Sequence, residues 1–211
     1  DTQPFDTIRY PIVKDASPQW LMLLTGQLDF LEQIDRNNMD IAIDPDMGLS
    51  PELKARGIQL FTSPTLKLYY LGINMDDPVL GKNKALRQAV NAAFDTARWE
   101  TYYRGRVRAL NTVAPPHLQD ALQTPFPYAF DTEKARRLMV EAGYPGGIDP
   151  ATGKPLVLTV EVGNATQDTT ESMELVASFL SAIGIKLEIS VNTWQAKLEK
   201  VRLRQAQLFL M

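Results

Sequence analysis

Seven side chains are the strongest candidates for contact with a bound solute: Asn164, Thr166 and Gln167 in one loop, and Ser63, Thr65, Tyr69 and Tyr70 in another segment. The first three lie in the stretch 163–167, where a strand pattern over 156–162 stops and a helical pattern begins. Ligands of open α/β sheets sit in the crevice beyond strand carboxyl ends, where helix N-terminal amides attract carboxylate or phosphate. All three side chains are neutral, so they offer hydrogen bonds and no countercharge. The same stretch also reads as an ordinary solvated loop with Asp168 as a helix cap. The second group, with Thr62, runs into a strand expected over 69–74. Tyrosine combines a stacking face with a hydroxyl and grips peptides or sugars without strong sequence demand. Successive strand residues point to opposite faces, so only one of Tyr69 and Tyr70 faces a given cleft. Core packing is the competing role for both.

Catalytic and metal motifs are absent or incomplete. Ser50, in GLSPE, lacks the second glycine of a nucleophile elbow and reads as a helix cap before Pro51. His117 is the only histidine and lies among Pro115, Pro116 and Gln119, with no partner for a triad or a zinc pair nearby in sequence. Asp44-x-Asp46 opens like a calcium loop, but Gly48 falls one place early and Ala55 stands where a bidentate glutamate belongs. Gly153-Lys154 is followed by Pro155, where a phosphate loop requires Ser or Thr. Asn164-Ala-Thr166 matches an N-glycosylation sequon, a pattern common by chance. Arg104, Arg106 and Arg108 offer positive charge to an acidic ligand or a permease, or are solvated loop charge. No catalytic residue, metal ligand or cofactor is assigned, and the protein is expected not to be an enzyme.

The elements that must position these residues are well punctuated. A strand is expected over 7–13, then a helix started by Ser17-Pro18 and ending near Gly26. Ser50-Pro51 starts a short helix closed by Gly57. Leu86, Ala89, Val90, Ala93, Phe94 and Ala97 recur at helical spacing and predict one long helix over 83–103. Four prolines in 111–127 predict an extended loop. Asp168-x-x-Glu171 offers a capping box to a helix carrying Met173, Val176, Ala177, Leu180 and Ile183 on one stripe. Residues 156–162 and 186–191 alternate at period two and, with that helix between them, form a strand–helix–strand unit; 207–211 is a last strand. The chain has 211 residues, 45% hydrophobic and 22% charged, with net charge −3 and scattered basic residues, so composition favours neither nucleic acid nor an anionic membrane. There is no cysteine, which excludes disulfides and thiolate metal sites.

The order of segments carries a further reading. YAFDTEKARRLMVEAGYPGG at 128–147, KPLVLTVEV at 154–162, SMELVASFLSAIGIKLEISV at 172–191 and the helix opened by Trp194 are preceded by TGQLDF at 25–30 and YYLGINMDDPVLGKNKALRQAVNAAFD at 69–95. This series resembles the larger lobe of the extracellular solute-binding proteins, family 5, which serve peptide and nickel ABC importers. The resemblance implies an α/β fold, a mixed sheet flanked by helices, forming one lobe of a two-lobed periplasmic binding protein of type II-like design. It implies that 1–211 is a partial second lobe, truncated at both ends, with the first lobe and the C-terminal return absent. A small-molecule or peptide ligand and a membrane ABC permease are the implied partners, with no nucleic acid, in a monomer that is periplasmic or extracellular and lipid-anchored. In dipeptide- and heme-binding relatives the loop equivalent to 163–167 can present an arginine to the ligand carboxylate; no arginine stands there in this chain. Trp194 resembles the family's aromatic at the start of the last helix, read as packing. A signalling or peptide-chaperone module is the alternative, and a hydrolase with catalytic groups in the unseen lobe the third.

Overall fold

A computed structural model describes residues 5–13, 15–44, 46–63, 67–110, 128–164 and 166–211. Two compact units divide the chain, residues 1–63 and 64–211. The first holds three short helices: α1 Ala16–Leu24, α2 Arg36–Ala42 and α3 Pro51–Ala55. Their apolar faces, with an isolated antiparallel bridge between Ile43 and Leu49, close a small core of Trp20, Met39, Ala42, Ile43, Leu49 and Leu53. The strand expected over 7–13 is not formed. Helix α1 starts earlier than its Ser-Pro signal, with Asp15 at the cap position and Pro18 inside the first turn, where its missing N–H is still harmless. Helix α2 has too few apolar residues for a periodic signal, yet Asp35 caps it by accepting from the backbone N–H of Asn37 at 2.9 Å. Asp44, the supposed start of a calcium loop, accepts from the Gly48 N–H at 2.7 Å and closes its own turn.

The second unit is built on a four-stranded sheet. In chain order it contains β1 Leu71–Ile73, α4 Lys84–Ala93, α5 Thr96–Tyr102, α6 Thr132–Glu141, a 3-10 turn Pro145–Gly147, β2 Val157–Gly163, α7 Gln167–Ser181, β3 Lys186–Asn192, α8 Trp194–Arg202 and β4 Leu208–Leu210. The strand order is β1-β4-β2-β3, with β2 parallel to both β3 and β4, and β1 antiparallel to β4. The sheet is therefore mixed and flanked by helices, as expected. Leu158, Val160 and Val162 of β2 are buried and share a core with Leu86, Val90, Leu138, Met139, Met173 and Leu180 of the helices. Period-two alternation turns Glu161 to the other face, toward α8.

Two expectations are corrected here. The long helix over 83–103 is two helices, because Phe94 leaves helical geometry (φ −77°, ψ 108°) and Asp95 caps a new start by accepting from the Arg98 N–H at 2.9 Å. Phe94 then packs edge-on against Phe179, centroids 5.4 Å apart, a contact that a continuing helix would have to give up. Asp168 is not the cap of α7. Thr166 is, its hydroxyl accepting from the Thr169 N–H at 3.2 Å, and Asp168 follows in the first turn, where its charge suits the helix dipole. The loop expected over 111–127, with His117, lies outside the described residues.

Backbone contact explains one glycine pair. Gly147 and Gly184 both have left-handed φ, 78° and 88°, and a Cβ on Gly147 would stand 2.0 Å from the Gly184 carbonyl oxygen. The 3-10 turn and the α7–β3 connection thus pack main chain on main chain, which no larger residue permits.

Candidate functional site

The parallel register puts three strand ends side by side. Gly163 pairs with Asn192, and the β2–β4 register continued from Glu161 and Phe209 brings Gly163 level with Met211. Across β4, Tyr70 and Met211 exchange backbone hydrogen bonds of 3.0 and 3.1 Å. Tyr70, Met211, Gly163 and Asn192 therefore form one row along the carboxyl end of β2, β3 and β4. Helices α7 and α8 both begin at this end, directing their N-terminal amides toward it. Tyr70 and Asn164, distant in sequence, thus meet the same sheet edge.

Asn164 has φ 50°, a left-handed conformation that asparagine tolerates. Its N–H donates to the Asn192 carbonyl at 2.8 Å, and its side-chain Oδ1 accepts from the Trp194 N–H at 3.0 Å. It thereby joins β2, β3 and the start of α8. Thr166, as the α7 cap, has its hydroxyl within 3.0 Å of the Thr169 hydroxyl. Gln167 is the first residue of α7. Tyr69 and Tyr70 are 65% and 48% exposed. Alternation groups Tyr70 with Gly72, whose missing Cβ makes room for the Phe209 ring, and Tyr69 with Leu71. Ser63 is exposed and closes the first unit, and Thr65 lies outside the described residues.

Beneath this edge, on the α8 face of the sheet, lies a polar cluster that the linear pattern did not single out. Glu161, 6% exposed, accepts from Lys200 Nζ at 2.8 Å and from Asn192 Nδ2 at 2.5 Å. Burial alone raises the Glu161 pKa, but hydrogen bonds from Lys200, Ser190 and Asn192 and the Lys200 charge outweigh it, and the net direction is down. Lys197, 2% exposed, donates from Nζ to the Leu210 carbonyl at 2.7 Å and stands 3.8 Å above the centroid of the Trp194 ring. Burial holds its pKa below the usual lysine value. Gly163 allows this close approach: a Cβ there would meet Trp194 Cε3 at 3.1 Å and Lys197 Cε at 3.3 Å. The available signal was Glu161 at an alternate position of an apolar strand, with Lys197 and Lys200 three apart on the following helix. A separate concavity of about 350 Å³, lined by Ile73, Asn74, Asp76, Val201, Arg204 and Phe209, includes the Asp76–Arg204 ion pair and lies toward the opposite end of β1. Among the described residues no group of three or more His, Asp or Glu is placed to hold a metal ion, and no helix is long and apolar enough to cross a membrane.

A mixed sheet whose parallel strand ends and helix N-termini gather polar and aromatic side chains is the arrangement in which open α/β folds place their ligand crevices. The sequence matches the bacterial extracellular solute-binding proteins, family 5 (middle), over residues 1–211, and the chain belongs to that family. It is 28% identical over 195 residues to heme-binding protein A of Haemophilus influenzae, covering 90% of this chain and 32% of that protein. It is 29% identical over 143 residues to the glutathione-binding protein GsiB of Escherichia coli K12, covering 67% of this chain and 26% of that one. The chain thus spans about a third or less of the length of these relatives. Its fold is that of the E. coli murein tripeptide binding protein MppA (TM-score 0.73, 19% identity, 93% of this chain and 36% of that one). It is also that of NikA from Brucella suis in complex with Fe(III)-EDTA (TM-score 0.72, 23% identity, 94% and 40%).

Proposed function

We propose that the protein is the substrate-binding component of an ABC importer, capturing an oligopeptide or a similar small solute between two lobes and delivering it to a membrane permease. The family match across residues 1–211 carries this reading. In this proposal the chain supplies part of the larger lobe of a monomer in the periplasm or lipid-anchored outside the cell. Its work is binding by hinge closure, without chemistry. The carboxyl end of the sheet forms one wall of the cleft. Asn164, Thr166 and Gln167 contact the solute from the β2–α7 connection, and Ser63, Thr65, Tyr69 and Tyr70 from the segment leading into β1. The relatives named for heme and for glutathione support a small solute and leave its class open across the family. The neutral character of Asn164, Thr166 and Gln167 favours recognition through hydrogen bonds over a salt bridge to a terminal carboxylate. Native mass spectrometry of the protein purified from its own compartment tests the reading. A defined small molecule released on denaturation supports solute capture; a protein that is empty and stays empty with peptide mixtures overturns it.

A further inference from the structure

The Trp194–Lys197 pair sits where the proposed wall begins. Trp194 is the first residue of α8, its N–H is fixed by Asn164 Oδ1, and its ring edge rests on Gly163 at the end of β2. Lys197 Nζ covers one face of the ring at 3.8 Å and is anchored from the other side by the Leu210 carbonyl at 2.7 Å. Although Lys197 is 2% exposed, Trp194 is 41% exposed. With one face under the ammonium and the Cε3 edge on Gly163, the exposed area belongs to the opposite face and the outer edge.

We propose that Trp194 and Lys197 act as one unit at the mouth of the solute site, Lys197 pinning the indole by its inner face so that the outer face is a fixed stacking surface for a planar, uncharged or anionic part of the ligand. Indole faces attract cations through the ring quadrupole. Here that attraction is already taken up by Lys197, and a second cation on the outer face would be repelled by the buried charge across the ring, where little water screens it. Stacking and dispersion on the outer face are unaffected. Lys197 is the positioning residue and Trp194 the contact. The inference rests on the solute-capture reading and adds a ligand class to it.

The test uses the full-length protein carrying 5-fluorotryptophan, with the Trp194 fluorine signal assigned through Trp194→Phe. In the free protein, Lys197→Met should shift and broaden that signal while the other tryptophan signals stay; an unmoved signal overturns the pinning, whatever the protein binds. Calorimetry then compares the tripeptides Ala-Phe-Ala, Ala-Leu-Ala and Ala-Lys-Ala. The expected order is Phe, then Leu, then Lys, with the Phe advantage falling about two- to tenfold in Trp194→Leu and the Lys peptide improving in Lys197→Met. Equal affinities with a motionless Trp194 signal overturn this inference and leave solute capture standing. Binding of none of the three removes peptide capture itself, and the stacking role with it.

Discussion

Lys200→Met should destabilise the protein more than Glu161→Gln does, although the two changes break the same 2.8 Å ion pair. The side chain of Lys200 is 35% exposed and that of Glu161 only 8%. When Glu161 becomes glutamine, the lysine turns to water and the amide oxygen still accepts from Asn192, so the loss is about 1–2 kcal/mol. When Lys200 becomes methionine, a buried carboxylate keeps only the Asn192 and Ser190 donors, and leaving such a charge uncompensated costs about 2–4 kcal/mol. Acid sorts the two variants further. The folded Glu161 pKa lies below its ordinary 4.5, so its contribution is complete above that value and is lost as pH falls through the folded value. The deficit of Glu161→Gln should therefore be constant near neutrality and close in acid. In Lys200→Met the ammonium no longer opposes burial, the carboxyl titrates higher than in the parent, and the deficit should start to shrink at a higher pH. Urea midpoints followed by fluorescence from neutral pH to about pH 3.5 measure both effects. A Lys200→Met variant milder than Glu161→Gln at neutral pH, or a Glu161→Gln deficit unchanged in acid, refutes the argument.

Two further outcomes are open to direct measurement. Gly143→Ala and Gly147→Ala share a left-handed backbone, but a Cβ on Gly143 meets nothing within 4 Å whereas on Gly147 it overlaps the Gly184 carbonyl. The first should cost about 1–2 kcal/mol and the second clearly more in thermal melts; equal losses would mean that the close packing of the two turns is not maintained. Burial lowers the Lys197 pKa below 10.5, so between the folded value and 10.5 the unfolded chain binds more protons and this residue's contribution to stability rises with pH. Melting temperatures of the parent minus those of Lys197→Met should accordingly increase toward alkaline pH, and a flat or falling difference would contradict a buried ammonium.

The elements that the sequence displayed well are those decided by local rules. Strand β3 alternates apolar and polar residues and β2 does so from Leu158 to Val162, α6 and α7 carry one apolar stripe each, and Gly143 and Gly184 end their helices in the left-handed conformation. The failures came where two local rules competed. Apolar spacing runs unbroken through Phe94 and Ala97, but Asp95 can cap a new helix, and the aromatic packing of Phe94 on Phe179 favours the break. Thr166 and Asp168 both carry capping oxygens, and spacing alone does not rank them. In the first unit the alternation over 7–13 has no partner strand among the described residues, and a strand without a ladder is only an extended chain.

The geometry of the candidate site was half legible for a different reason. That a polar loop follows β2 is a linear fact, but that Tyr70 joins the same edge depends on β4, the last strand of the chain, inserting between β1 and β2. Sequence order gives no warning of that insertion. It also explains the charged cluster: once β4 lies beside β2, the Leu210 carbonyl is in reach of Lys197, while Glu161 faces Lys200 on the same side of the sheet. One face of the sheet is thus closed by apolar packing and the other, under α8, by paired charges and a carbonyl. Apolar surfaces tolerate many small rearrangements, whereas each buried polar atom is satisfied only in a narrow range of geometry. The α8 face therefore fixes the register of the strand ends more tightly than the core face does, and the positions of Asn164, Trp194 and Tyr70 at the proposed wall depend on it.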